Sequence, residues 1–341
     1  MNVSEEDETG GAAIKAGLKK LSLGSDFGLC MCAHYISSMA PSLLPSVIPW
    51  LSSLGKGERT RVNTQWERGC PEVLPGLSTP GMIVTAETDR SCLPPALAFI
   101  AELEAGFIEV RREFLSLRGA ASFQEYRSPS SSSSHGVNHC AESDVASMGE
   151  LGTDAGAWRV CYLQLHNAGK DEGVGDALNK CPFTQSLLSR IPRSYGHAFF
   201  SVLHPGTHVQ KHCGPTNKKV RVHLPLVIPA GDVARLRVGG RTVTLQEGRC
   251  LAFQDSWEHE AWLDSAAVSS RATLIVDIWH PLLTAEEVKA LSFIRASSMR
   301  GAKAASNADA LPESQDFYKI LQVQEKVDDD EVFFGCPVVD D

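Results

Sequence analysis

The 341-residue chain is 43% hydrophobic and 21% charged, enough to bury a sizeable core either as two domains or as one large domain with appendages. Its formal charge of −9 argues against a nucleic-acid partner, because phosphate binding needs a basic face. The ten cysteines show no CxxC and no regular spacing, which leaves no readable zinc ribbon or disulfide framework and points to reduced thiols in a cytosol-like, cytoplasmic setting.

Residues 1–60 read as a poorly ordered leader. Phe27 to Gly55 contains no Asp, Glu, Lys or Arg and is flanked by Lys19, Lys20 and Lys56, which leaves membrane association open. Pro41, Pro45 and Pro49 interrupt it, however, and a membrane span needs about 20 mostly apolar residues without such breaks. "LPPALAFIAELEAGFIEVRREFLSLRG", Leu93 to Gly119, places Leu97, Ile100, Ala101, Leu103, Phe107, Ile108, Phe114 and Leu115 at helical spacing and predicts one long helix. The Ser- and Gly-rich stretch near residues 126–156 has little to bury and is expected to be a mobile loop insert. From Trp158 the pattern changes to short alternating or apolar runs punctuated by Gly, Pro, Asn and Asp, which predicts a mainly β half built as a sandwich or small barrel. "RLRVGGRTVTL" is a hairpin through Gly239 and Gly240. A helix is expected near "TAEEVKALSFIRAS", and residues 296–341 form an extension ending in an acidic, solvated tail.

Seven of the eleven histidines fall between His197 and His280, which makes a metal the first chemistry to test. His204, His208 and His212 are spaced by four. Pro205, Gly206, Thr207 and Val209 disfavour a helix there, and in an extended chain the three can share a face, so spacing alone does not choose a ligand. In "FQDSWEHEAW", His259 faces away from Glu258 and Glu260 on a strand, while Asp255 shares its parity and could orient a bound water or the imidazole. "RATLIVDIWHP" opens on Arg271, whose face is shared by Thr273, Ile275, Asp277 and Trp279. A guanidinium fork there suits a carboxylate, with an internal salt bridge to Asp277 as the competing structural role. Lys219, Arg221 and His223 lie on one face of "KKVRVHLPL". Two histidines for a metal and several cations for a small dianion, inside a β-barrel, are the equipment of an oxygenase using Fe(II) and a 2-oxo acid.

In this order and spacing, "HPGTHVxxHxGPTN", "RVHLxLVIP", "SxEHEAW" and "RxxLIVDIWHP" resemble the aspartyl/asparaginyl β-hydroxylase family of Fe(II)- and 2-oxoglutarate-dependent dioxygenases. The resemblance implies a double-stranded β-helix (jelly-roll, cupin-like) core with flanking helices, in an oxygenase domain over residues 61–295. It implies His212 and His259 as the iron ligands, with Gly214 where most oxygenases carry an acidic third ligand. The 2-oxoglutarate residues implied are Trp158, Ser201, Arg221, His223 and Arg271, with O2 as the other co-substrate, while Asp255 joins the two histidines as a catalytic candidate. The substrate implied is a peptide or protein bearing Asp or Asn, hydroxylated at the β-carbon. The alternatives are the same chemistry on a non-peptide substrate such as a lipid acyl chain, a non-catalytic barrel that binds a 2-oxo acid, and a zinc hydrolase using His204, His208 and His212. Gln210 and Lys211 depart from animal members of the family, which tend to have an aromatic residue and a proline there.

Overall fold

Short runs rich in Val, Ile, Leu and Phe form the strands that the alternation calls for, and they assemble into antiparallel sheets. The structure, a computed structural model, describes residues 16, 47–56, 64–117, 123–129, 148–151, 153–165 and 174–292. Its strands are Met82–Val84 (β1), Gln124–Glu125 (β2), Arg127–Pro129 (β3), Met148–Leu151 (β4), Thr153–Ala155 (β5), Trp158–Gln164 (β6) and Ser194–Leu203 (β7). They continue with Thr207–His212 (β8), Lys219–Val227 (β9), Ala234–Val238 (β10), Arg241–Thr244 (β11), Leu251–Phe253 (β12), His259–Leu263 (β13) and Arg271–Trp279 (β14). The larger sheet runs β1-β12-β9-β14-β7-β6-β2 and the smaller β11-β10-β13-β8-β5, with β3 and β4 paired apart from them.

The central strand β14 is buried at every position, because both of its faces are covered. Ala272, Leu274, Val276 and Ile278 pack with Ile100, Leu103, Val110, Phe114, Leu187 and Leu188 of helices Ile100–Ala105 (α2), Phe107–Ser116 (α3) and Pro182–Ser189 (α5), the last preceded by Val174–Asn179 (α4). The alternate positions, beginning with Arg271, turn the other way, toward the smaller sheet. There Leu203, Val209, Leu236, Phe253, Ala261 and Leu263 make a second apolar cluster. The hairpin forms in the expected register, Val238 opposite Arg241, with Gly239 at φ 55°.

Several expectations change. The segment from Leu93 is not one helix: a short 3-10 turn at Pro95–Leu97 precedes α2, and the chain breaks at Gly106 before α3. A Cβ on Gly106 would sit 2.7 Å from Leu187 Cδ1 and 3.0 Å from Phe183 Cε1, so the glycine admits α5 against this corner. Glu113 fixes the same contact by accepting from the Phe183 and Thr184 amides at the start of α5, both at 2.8 Å. The break rotates α3, leaving Ile108 and Leu115 of the expected apolar face in solvent, 63% and 39% exposed.

The Ser-rich insert contains β3, β4 and β5, the last hydrogen-bonded to β8, while residues 130–147 lie outside the described residues. The leader contributes a helix, Val47–Lys56 (α1), that buries Trp50 and Leu51. Lys218 lies 5.0 Å from the centre of the Trp50 ring. Most of the leader and all of the C-terminal extension lie outside the described residues, but residues 285–292 are helical, started by a reciprocal Thr284–Glu287 cap. No described helix is long and apolar enough to cross a membrane.

Candidate functional site

Between the two sheets lies a pocket lined by Trp158, Ser201, His212, Arg221, His223, His259 and Arg271, all expected from the sequence, with walls of Val209, Leu236, Phe253 and Ile275. Register places them. Arg221 sits opposite Asp277 and Phe253, His223 opposite Ile275, Ser201 opposite Thr273, and His212 opposite His259.

The histidine pair depends on a bulge. Val209 pairs with Ala261 and His212 with His259, so Gln210 and Lys211 together face Glu260 alone. The extra residue reverses the parity of β8 and turns His212 into the pocket beside Val209, whereas His208 stays on the outer face. The sequence expectation that His204, His208 and His212 can share a face is thereby corrected. His208 Nε2 meets Glu260 Oε2 at 3.0 Å and its ring stacks on Trp262. His204 lies in the turn after β7, with Nδ1 3.1 Å from Ser270 Oγ. A zinc site of these three histidines is excluded by that divergence.

The His212 and His259 ring centres are 4.2 Å apart. His212 Nδ1 lies 2.6 Å from the Gln210 carbonyl and His259 Nδ1 2.8 Å from that of Trp257. A carbonyl only accepts, so each Nδ1 carries the proton and each Nε2 keeps its lone pair for a metal. Among the described residues no group of three His, Cys, Asp or Glu converges, so the chain offers a metal two imidazoles and no acid. Burial, reinforced by His212, holds the His259 pKa well below 6.5, and burial with Arg271 does the same for His223. Both rings are therefore neutral at physiological pH, as ligation and acceptance require.

Beneath the pocket, Lys219 Nζ bridges Asp255 Oδ2 at 2.9 Å and Asp277 Oδ2 at 2.5 Å, and Arg221 holds both Asp277 oxygens at 2.8 Å. Burial works against the Asp277 charge, but Arg221 and Lys219 outweigh it and keep the carboxyl ionised. The salt bridge from Arg271 to Asp277 is absent for this reason. Arg271 is 2% exposed, no described carboxylate pairs with it, its Nη1 has no hydrogen-bond partner, and burial lowers its pKa to about 10. Both ring nitrogens of His223 are likewise buried without partners. A cation and an imidazole left unsatisfied on one pocket wall are a site for an anion with further polar atoms. Trp158 Nε1 donates to Ser201 Oγ at 3.0 Å, fixing the other wall.

Asp255 does not share a strand with His259: it lies in the turn before β13, off the pocket lining, with Oδ2 engaged by Lys219 and Oδ1 buried without a partner. It bounds Gly214 instead. Its main-chain oxygen accepts the Gly214 amide at 2.7 Å, and a Cβ at 214 would stand 2.6 Å from Asp255 Oδ2. The glycine is required by this close approach, not by a positive φ, and a side chain at 214 would meet Asp255.

Tyr126, not singled out by any sequence pattern, stacks on Trp158 with ring centres 3.8 Å apart. Its signal was hidden inside the Ser-rich stretch.

The buried neutral histidines imply a pH dependence. Their folded pKa values lie below the unfolded value, so the unfolded chain takes up protons first and stability present above about pH 6.5 is lost as pH falls, at about 1.4 kcal/mol per pH unit for each ring. The melting temperature of metal-free protein should drop between about pH 7 and about pH 5, a window above the carboxylate range. A flat profile would mean that His223 and His259 are not buried neutral.

The family model described as Aspartyl/Asparaginyl beta-hydroxylase matches residues 104–281, just over half of the chain. The human protein named Aspartyl/asparaginyl beta-hydroxylase is 42% identical over 123 residues, covering 35% of this chain and 16% of that one. Human Aspartate beta-hydroxylase domain-containing protein 2 is 40% identical over 150 residues, covering 42% and 38% respectively. The matches thus span well under half the length of these relatives. The matched region contains the pocket and both histidines of the pair, and the chain belongs to the aspartyl/asparaginyl beta-hydroxylase family.

Proposed function

We propose that the chain is an Fe(II)- and 2-oxoglutarate-dependent dioxygenase that hydroxylates the β-carbon of Asp or Asn in a peptide or protein, on a double-stranded β-helix frame. The observation that carries this reading is the buried Arg271, without a carboxylate, facing the same pocket as two imidazoles whose Nε2 atoms are left open. His212 and His259 would hold the iron. Bound iron would supply O2 activation coupled to oxidation of 2-oxoglutarate to succinate and carbon dioxide, and with it hydroxylation of an unactivated C–H bond.

The chain's residues do the rest. Arg271 receives the distal carboxylate of 2-oxoglutarate through its guanidinium fork, and His223, Ser201 and Trp158 line the same end. Arg221, held in place by Asp277, adds a second cation to the pocket. Asp255, off the pocket lining, holds Lys219 in place beneath the pocket. The apolar wall of Val209, Leu236 and Phe253 keeps bulk water from the reacting carbon.

The test incubates the full chain with Fe(II), 2-oxoglutarate and Asp- or Asn-bearing peptides, with zinc-loaded protein as control. Expected are succinate release and a peptide one oxygen atom heavier, both absent with zinc. Binding of 2-oxoglutarate with no succinate under any condition would favour the non-catalytic barrel. Turnover with an acyl chain but no peptide would favour the lipid reading.

A further inference from the structure

His212 is the last residue of β8 and His259 the first of β13, so along the chain regular pairing holds only one side of each. The other side of each belongs to a loop. One upstream segment holds both loops. Gln65–Glu67 is a single 3-10 turn whose Thr64 cap accepts the Trp66 amide on its hydroxyl at 3.1 Å. The Trp66 carbonyl accepts the amide of Glu258, the residue before His259, at 2.8 Å, and the thiol of Cys213, the residue after His212, at 3.5 Å. Glu67 is 1% exposed and accepts from Ser256 Oγ at 2.8 Å. Gly69 lets the segment lie close, since a Cβ there would stand 2.9 Å from Cys213 Sγ. Beyond it the Glu72 amide donates to the Pro215 carbonyl at 3.1 Å, and Asn217 Oδ1 accepts the Leu74 amide at 2.8 Å. All of this strap precedes residue 104, where the match to the family begins.

We infer that Glu67 is a positioning residue for the histidine pair: by holding Ser256, and with it the turn that presents the Trp66 carbonyl, it sets the spacing and tilt of His212 and His259 that a metal requires. This rests on the proposed binding of iron by these two histidines. Among the described residues the pair has no third protein ligand, so a misplaced ring is not corrected by another donor and the error falls on affinity. A strap that touches the neighbours of both rings removes that error before the metal arrives.

The experiment titrates cobalt(II) into the full chain and records its visible absorption, which reports ligand geometry, at a temperature where melting curves show every variant folded. Glu67→Ala and Ser256→Ala should each weaken cobalt binding about tenfold, the scale on which residues that orient ligands act, and should shift the spectrum. Glu67→Gln keeps an oxygen for Ser256 and should bind as wild type does. Glu67→Ala combined with Ser256→Ala should be no weaker than either alone, because both remove the same hydrogen bond. Leu188→Ala, a truncation in the helix-covered core, should lower the melting temperature and leave affinity and spectrum unchanged. A Glu67→Ala that loses stability yet keeps wild-type affinity and spectrum would overturn the proposal, because that is what a purely structural strap predicts. So would additive losses in the double variant, or a Glu67→Gln as weak as Glu67→Ala, and each of these outcomes leaves the iron reading intact. If Glu67→Ala does not fold, Ser256→Ala decides, and its wild-type affinity would overturn the proposal. A wild type that binds no cobalt overturns the proposal and the iron reading together.

Discussion

Replacing His259 with alanine should abolish 2-oxoglutarate turnover and Fe(II) binding together, and His212→Ala should do the same, whereas His208→Ala should keep both. The reason is the divergence created at the β8 bulge. His208 is committed to Glu260 and Trp262 on the outside of the smaller sheet, whereas His212 and His259 face each other in the pocket, each with Nδ1 tied to a carbonyl and Nε2 left open. With no third protein ligand among the described residues, losing one imidazole leaves a single donor, too few to hold a divalent ion against water. Iron titration followed by succinate release measures both effects. An inactive His208→Ala beside an active His259→Ala would invert the assignment.

How much of this is legible in the sequence depends on whether the cause is local. The strands, the Gly239–Gly240 hairpin and the inward face of β14 follow from alternation and turn chemistry, which neighbouring residues determine. Arg271 and His223 could be placed on the pocket face by counting in twos. The same counting fails on β8, because a bulge is a property of two paired strands, and Gln210 and Lys211 carry no mark that they oppose Glu260 alone. It fails again at Asp255, where the strand begins only at His259. Gly106 breaks a helix of continuous periodicity for the sake of a contact with Leu187, some eighty residues along the chain, and no local rule reveals it.

Charge partners were the least legible part. Lys219 and Arg221 were visible on one face of one strand and Asp277 on the Arg271 face of another, but which acid served which cation was decided by register. Asp277 lies opposite Arg221 on the neighbouring strand, and Lys219 reaches it from two positions along. Arg271, at the far end of β14, lies opposite Leu203 and is left over. That leftover cation makes the wall of the pocket a receptor for an anion.

Arg271 and Asp277 should therefore respond to neutralisation with opposite signs. Arg271 is a buried cation without a described carboxylate, with one long hydrogen bond from Nε to Thr273 Oγ1 and none from Nη1, so the folded apoprotein bears a desolvation cost that no opposite charge offsets. Arg271→Met keeps the apolar stem and removes the charge. It should raise the melting temperature of the apoprotein while weakening 2-oxoglutarate binding by at least the 1.5–3 kcal/mol roughly expected for a charged hydrogen bond, and by more for a fork that makes two. Asp277→Asn removes the shared acid of Lys219 and Arg221, leaving the two cations with only Asp255 between them. Breaking a buried pair in this way costs about 3–5 kcal/mol, so this variant should melt well below wild type. Calorimetry on apoprotein, with 2-oxoglutarate titrated in the presence of zinc, separates the two effects. A destabilised Arg271→Met that still binds 2-oxoglutarate with wild-type affinity would show that the guanidinium is satisfied within the fold and that the anion site lies elsewhere.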